Sequence, residues 1–286
     1  MTAKILDGRK ISKEIKQNII TETENLEKEY GIKPGLAVVI VGEDEASSVY
    51  VSMKAKACKN VGFHSETYNL PQDTSQKELI QLIGKLNNDA KIHGILVQLP
   101  LPKGFDENLV NSHILPSKDI DGFHAINAGN LMLGEDGYIP CTPKGIIELI
   151  KRTGTDISGK HAVVIGRSNI VGKPVGILLL RENATVTICH SRTNNLAEHT
   201  KNADIIVAAV GIPKLIKGDM IKEGAIIIDA GTRKVDEKLV GDVDYDEAVN
   251  KASWITPVPG GVGPMTITML LLNTLESAKK SCASVR

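Results

Sequence analysis

The sequence has no excess of charge of either sign: 34 Lys and Arg stand against 34 Asp and Glu, giving a formal net charge of zero. With no block of five or more like charges either, a nucleic-acid partner held through a basic field is not expected. Aromatic residues are scarce, at 3% with one Trp and three Phe, too few for a stacking platform on single strands or glycans. The four cysteines, Cys58, Cys141, Cys189 and Cys282, lie far apart, with no CxxC pair and no histidine at metal-ligand spacing. They read as reduced thiols of a cytoplasmic protein used as small apolar residues, and no metal site is expected. Long apolar runs are missing too. The most apolar stretch, Met265 to Leu275, has eleven residues interrupted by Thr266, Thr268, Asn273 and Thr274, short of the roughly 18 that span a bilayer. It reads as a buried helix, with no membrane partner. The start, MTAKILDGRK, has no apolar core of signal-peptide length, so no secretion or organelle targeting is expected.

What is present is the composition of a globular protein, 42% hydrophobic and 24% charged over 286 residues, or two domains at roughly 150 residues each. Ile11, Ile15, Ile19 and Leu26 make one face of a helix that closes at Gly31. LAVVIVG (36–42) is an apolar, β-branched run, followed by helical composition over 46–61, a strand near 64–69, a helix over 76–86 carrying Leu79, Ile80, Ile83 and Leu86, and a strand over 95–99. Strands apolar on both faces imply a parallel sheet covered by helices.

Residues 116–145 contain PSKDIDGF and GEDGYIPCTPKG, which break any period and mark a domain boundary. Beyond them HAVVIG (161–166), ATVTICH (184–190), DIIVAAVG (204–211), AIIIDAG (225–231) and SWITPVPG (253–260) are short strands at about 20-residue spacing, the rhythm of a doubly wound nucleotide-binding sheet. The expected fold is α/β, with two parallel-sheet domains around a cleft and the second of them Rossmann-like. The first domain takes residues 1–140 and is completed by a C-terminal helix in 264–286, with Pro264 at its start; the second takes 141–263.

The strongest local signal is GRSNIVGKP (166–174), between the strand HAVVIG and the helical run VGILLLREN. A glycine-bearing strand-to-helix turn turns backbone N–H groups and the helix dipole toward a phosphate, although Ser168 stands where GxGxxG has its second glycine. A turn that binds nothing is equally common in open sheets. Arg167 shifts the balance toward a dinucleotide, and Ser191 and Arg192 follow the second strand where an acid normally marks a free ribose 2′-hydroxyl. No acid stands there, so NADP is favoured over NAD.

Tyr50 and Lys54 are four apart in a helical segment and share a face, though most helix lysines, Lys56 and Lys59 among them, are simply solvated. Gln98 closes an apolar strand, where open sheets hold ligands and where surface caps also occur. Asp121 is either a turn-forming acid or an acceptor for two N–H groups of a guanidine-like ring edge. TPVPGGVGPMT (256–266) is rich enough in Gly and Pro for its backbone to approach a ligand closely.

Taken in order, YVSMK, VQLPLP, KDIDGFHAINAGNL, PCTP, GRSNIVGKP and PGGVGPMT closely resemble the bifunctional methylenetetrahydrofolate dehydrogenase/methenyltetrahydrofolate cyclohydrolase family, the FolD family, over about residues 3–278. The resemblance implies that Lys54 is the catalytic lysine, that Tyr50 stacks on the aminobenzoate ring, that Gln98 tunes the lysine and that Asp121 holds the pterin. It places Gly166, Arg167, Ser168, Ser191 and Thr232 on NADP, and Val97, Gln98, Leu99, Pro259, Gly260, Gly261 and Val262 against the folate. It implies a homodimer formed through the cofactor domain. The implied chemistry is hydride transfer from 5,10-methylenetetrahydrofolate to NADP⁺, then attack of water on the methenyl cation to give 10-formyltetrahydrofolate. A cation bound beside Lys54 disfavours the ammonium and leaves an amine to act as base, and the electrophilic carbon needs no metal. The rival readings are a dehydrogenase without hydrolysis and a non-catalytic nucleotide-binding relative.

Overall fold

The computed structural model describes residues 2–42 and 45–283. The elements run β1 (Lys4–Ile5), α1 (Gly8–Tyr30), β2 (Gly35–Val41), α2 (Glu45–Asn60), β3 (His64–Leu70), α3 (Gln76–Asn88) and β4 (Gly94–Val97). Then come α4 (Glu107–Ser112), α5 (Ala125–Leu133), α6 (Cys141–Lys151), β5 (His161–Ile165), α7 (Gly172–Arg181), β6 (Thr185–Cys189) and α8 (Leu196–Thr200). The chain finishes with β7 (Ile205–Ala208), β8 (Ile226–Asp229), β9 (Arg233–Val235), β10 (Lys238–Val240), α9 (Tyr245–Ala248), β11 (Trp254–Ile255) and α10 (Val262–Ala283).

The chain divides into two compact units, Glu14–Cys141 with Ile267–Arg286, and Met1–Lys13 with Thr142–Thr266. Met1 and residues 284–286, which the sequence division includes, lie outside the described residues. That division also puts residues 1–13 in the first domain, whereas here they go with the second unit. The reason is β1, which adds to the edge of the larger sheet by pairing Lys4 with Trp254 and Ile5 with Ile255. A two-residue strand carries no apolar pattern by which a sequence would announce it.

The first unit holds a three-stranded parallel sheet in the order β3-β2-β4. Every residue of β2 is buried, as expected of a central strand covered on both faces. On one side α3 contributes Leu79, Ile83 and Leu86; Ile80 lies off this face and is only partly buried. The helix is started by a capping box in which Ser75 Oγ accepts from the Glu78 N–H while a Glu78 carboxylate oxygen accepts from the Ser75 N–H. Strand β4 stops after Val97 because Pro100 and Pro102 have no N–H to offer. Gln98 N–H still donates to the Val39 carbonyl at 2.8 Å, so Gln98 is held at the carboxyl end beside the central strand.

The second unit carries a six-stranded parallel sheet in the order β1-β11-β8-β7-β5-β6, with β9 and β10 as a separate antiparallel hairpin. Strand order reverses at β5, which has β6 on one side and β7 on the other, and the carboxyl end of such a strand is where open α/β sheets take their ligands. Helix α10 begins at Val262, and Pro264 lies in its first turn, where the missing N–H costs nothing. Among the described residues no helix is long and apolar enough to cross a membrane.

Candidate active site

In the first unit the site is built on α2 and the end of β4. Val51, Ala57 and Cys58 bury one face of α2, which leaves Tyr50 46% exposed, Lys54 partly exposed, and Lys56 and Lys59 in solvent. Lys54 Nζ donates to Gln98 Oε1 at 2.9 Å. The Gln98 amide is oriented by its own Nε2, which donates to the Leu99 carbonyl at 2.7 Å, so its oxygen is the atom left for the lysine. Val97 is buried, and Gln98 and Leu99 are half-buried. One neutral acceptor thus holds the lysine nitrogen without adding a charge.

Asp121 faces the same lysine. Although the residue is only partly buried, its carboxyl is set deep enough that desolvation pushes it above the usual carboxylate range, against the opposing pull of Lys54 and of the Cys141 thiol. The loop that presents it is organised by Asp119, which the sequence reading does not single out. Asp119 accepts from Phe123 N–H at 3.2 Å, His124 N–H at 2.8 Å and Asn127 Nδ2 at 2.8 Å. It is an Asx-type anchor whose partners lie within eight residues, and KDIDG contains the signal in having two acids, of which the first serves the backbone and the second the site.

Burial pushes the Asp119 carboxyl up to about 6 from 3.8, opposed by its three donors and assisted by the Asp121 charge. The folded chain therefore keeps this proton where the unfolded chain has lost it. The contribution is fully present below the unfolded value and is lost as pH rises through about 6. We expect the melting temperature of the parent to lose ground to that of Asp119→Asn between about pH 4 and pH 7, whatever constant penalty the amide carries. A gap between the two melting curves that does not move with pH would show that this carboxyl titrates normally.

In the second unit the residues that follow β5, β6 and β8 form another group. Gly166 has φ +127°, and a Cβ on it would lie 2.4 Å from the Ala209 carbonyl oxygen; a Cβ on Gly172 would lie 2.2 Å from the Gly166 oxygen. The two glycines six apart thus close the turn on itself. Ser168 Oγ accepts from Val171 N–H at 3.1 Å and Gly172 N–H at 3.3 Å. This qualifies the expectation that the first N–H groups of α7 face a phosphate, because Ser168 already takes two of them. With both lone pairs engaged, the Ser168 O–H is left as a donor. Arg167, Ser191, Arg192 and Thr232 are exposed, and residues 190–193 contain no acid.

Two further acids brace these loops. Asp229 accepts from the N–H groups of Gly231, Asp242 and Val243 at 3.0, 3.0 and 2.9 Å, and Asp242 Oδ2 accepts from Val210 and Gly211 at 2.7 and 3.1 Å. A Cβ on Gly231 would fall 2.1 Å from the Asp242 carboxyl carbon, so the glycine beside Thr232 serves this brace.

The segment Pro259–Val262 belongs to the second unit. Gly260 has φ +115°, and Gly261 N–H donates to the Pro257 carbonyl at 2.8 Å. A Cβ on Gly261 would lie 2.6 Å from Thr256 Cβ and 2.8 Å from the Pro257 oxygen, so its own turn requires glycine, while its carbonyl oxygen, 1.8 Å from where a Cβ on Gly8 would stand, requires glycine at the start of α1. The candidate residues thus fall into Tyr50, Lys54, Val97, Gln98, Leu99 and Asp121 in one unit, and Gly166, Arg167, Ser168, Ser191, Thr232 and Pro259–Val262 in the other.

A family model described as tetrahydrofolate dehydrogenase/cyclohydrolase, catalytic domain, matches residues 6–121. A second, described as tetrahydrofolate dehydrogenase/cyclohydrolase, NAD(P)-binding domain, matches residues 140–282. The bifunctional protein FolD of Geotalea daltonii is 59% identical over 279 residues, covering 97% of this chain and 99% of that protein. The crystal structure of the Campylobacter jejuni bifunctional enzyme FolD, a methylenetetrahydrofolate dehydrogenase/cyclohydrolase, superposes with a TM-score of 0.96 at 48% identity, covering 98% of this chain and 99% of that one. That of the Trypanosoma brucei enzyme, complexed with NADP cofactor and inhibitor, gives 0.95 at 41% identity over 99% of each chain.

Proposed function

This chain belongs to the tetrahydrofolate dehydrogenase/cyclohydrolase family, and we propose that its lysine centre and its nucleotide loop carry out the two reactions of that family in succession. 5,10-Methylenetetrahydrofolate is oxidised to the 5,10-methenyl cation, and the cation is hydrolysed to 10-formyltetrahydrofolate. The observation that carries the assignment of roles is the 2.9 Å hydrogen bond from Lys54 Nζ to Gln98 Oε1.

Tyr50, half exposed one turn before Lys54, offers its ring to the flat aminobenzoate portion of the folate. Asp121 accepts two N–H groups from the pterin edge, which fixes the one-carbon bridge relative to Lys54. Gln98 holds one N–H of the lysine and leaves the nitrogen lone pair for the water that attacks the cation. As water adds to the electrophilic carbon its proton passes to Lys54 Nζ, and collapse of the adduct opens the ring to the formyl product. Val97 and Leu99 flank Gln98 as apolar wall.

The residues after β5 fit a dinucleotide: Gly166 and Gly172 leave no room for a Cβ, and Ser168 keeps its O–H to donate. Bound there, NADP⁺ supplies the hydride acceptor. Arg167 and Arg192, with no acid among residues 190–193 that follow β6, suit a ribose 2′-phosphate, while Ser191 and Thr232 offer hydroxyls. The test is initial rates with saturating methylenetetrahydrofolate and either nucleotide. A higher kcat/KM with NADP⁺ than with NAD⁺ is expected, and equal values would contradict the preference.

The chain pairs with a second copy through β6, the edge strand of the larger sheet. Ile188 on β6 and Leu180 on α7 are 40% and 63% exposed, an apolar surface that a partner edge would cover. Leu180→Glu should shift the mass in light scattering from dimer to monomer while the far-UV spectrum is kept; an unchanged mass would place the interface elsewhere. The four cysteines are buried thiols outside any disulfide, which supports the reducing conditions of a cytoplasmic enzyme.

A further inference from the structure

Helix α10 meets the loop that presents Asp121 through one buried amide. Asn273 is fully buried, and its Nδ2 donates to the Ile120 carbonyl at 2.8 Å and to the Ile139 carbonyl at 3.0 Å, with Cys141 Sγ 3.8 Å away. Both hydrogens of the amide are therefore directed at the two segments that flank α5, 153 and 134 residues away in the chain. Ile120 directly precedes Asp121, and Cys141, whose thiol reaches the Ile120 carbonyl at 3.4 Å, also interacts with the Asp121 carboxyl.

The Ile120 side chain is held as firmly as its carbonyl. A Cβ on Gly94 would lie 2.6 Å from Ile120 Cγ1 and 3.3 Å from Thr274 Oγ1, so Ile120 is seated between β4 and α10 in a space that only glycine leaves open. Strand β4 is the one that leads into Gln98, about 13 Å further along from Gly94 at the rise of an extended chain. The backbone before Asp121 is thus referenced to the strand that positions Gln98.

We propose that Asn273 is a positioning residue for the folate site: by pinning the Ile120 and Ile139 carbonyls it sets where Asp121 stands relative to Lys54 and Gln98. The inference rests on the reading of Asp121 as the pterin anchor. Loss of the amide removes the shorter of the two bonds to the Ile120 carbonyl, leaving it the Cys141 thiol, and removes the bond to the Ile139 carbonyl, and the loop relaxes by the fraction of an ångström that a two-point contact to the pterin does not tolerate. Ser277 provides the comparison. One turn further along α10 and equally buried, its Oγ bridges the His93 carbonyl at 2.6 Å and the Ser117 carbonyl at 3.0 Å. It ties the same helix to the residue before Gly94 and to Ser117, four residues before Asp121, and not to the Ile120 and Ile139 carbonyls that Asn273 holds.

The experiment measures KM for methylenetetrahydrofolate and for NADP⁺, with melting temperatures, in the full-length parent, Asn273→Leu, Asn273→Ser and Ser277→Ala. We expect roughly a tenfold rise in the folate KM for both Asn273 variants, with the NADP⁺ KM within about twofold of the parent. Ser277→Ala should lower the melting temperature and leave the folate KM within about twofold. The proposal is overturned if folded Asn273 variants keep the parent folate KM, or if Ser277→Ala raises it equally. It is also overturned if neither Asn273 variant folds, since the amide would then hold the fold and not the site. A parent without folate activity would instead refute the assignment of function.

Discussion

Replacing Lys54 with methionine is expected to slow hydrolysis of methenyltetrahydrofolate by about 10²- to 10⁴-fold, the usual worth of a positioned general base, while the protein stays folded and binds NADP⁺. Methionine keeps the unbranched stem and a good helix propensity, and Lys54 is only partly buried on α2, so little packing is lost. What is lost is the nitrogen 2.9 Å from Gln98 Oε1. Spontaneous attack of water on the cation sets the floor below which the rate cannot fall. Hydride transfer needs two carbons aligned and no proton acceptor, so the first half-reaction should suffer less than the second. Lys56→Met is the control, because Lys56 lies on the same helix in solvent. Parent-like hydrolysis by Lys54→Met, or equal damage from Lys56→Met, would remove Lys54 from the mechanism.

Arg167→Ala should reduce kcat/KM with NADP⁺ by about 10- to 150-fold and leave NAD⁺ almost untouched, because a charge-assisted contact is lost to a phosphate that only NADP⁺ carries. Arg167 immediately follows Gly166 at the carboxyl end of β5 and is exposed, so truncating it disturbs neither the close approach of Gly166 to Ala209 nor the two N–H groups held by Ser168. Rates with the two nucleotides, taken at the same folate concentration, separate the two roles open to the arginine. Equal loss with both would make it a support of the loop that does not read the 2′-phosphate.

The parallel strands were legible because β2, β5, β7 and β8 are short β-branched runs with Gly near their ends and β6 is a β-branched run at the same spacing, and the chemistry was legible because six motifs carry their polar residues in order. Boundaries were less so. The run SWITPVPG suggests a strand over 253–260, yet β11 keeps only Trp254 and Ile255, since Pro257 and Pro259 cannot donate to a ladder. The polar framework was hidden for a different reason. Asp119, Asp229, Asp242 and Asn273 look like ordinary loop or helix polar residues until their partners are known, and most of those partners are backbone atoms whose positions only the fold determines. Asp242 reaches Val210 across 32 residues and Asn273 reaches Ile120 across 153, distances at which no spacing rule operates. Glycine was read in one direction only: Gly261 suggested an approach to ligand, and its carbonyl turns out to be packed on Gly8.

The product of the first reaction is the substrate of the second, so the most direct test follows three species at once. Methylenetetrahydrofolate and NADP⁺ are mixed with the protein, and reduced nucleotide, methenyltetrahydrofolate and 10-formyltetrahydrofolate are quantified against time. Reduced nucleotide and 10-formyltetrahydrofolate should accumulate in a one-to-one ratio, with methenyltetrahydrofolate kept low and with Lys54→Met letting it build up. Reduced nucleotide accompanied by methenyltetrahydrofolate that disappears no faster than in buffer would contradict the account, leaving a dehydrogenase without hydrolysis.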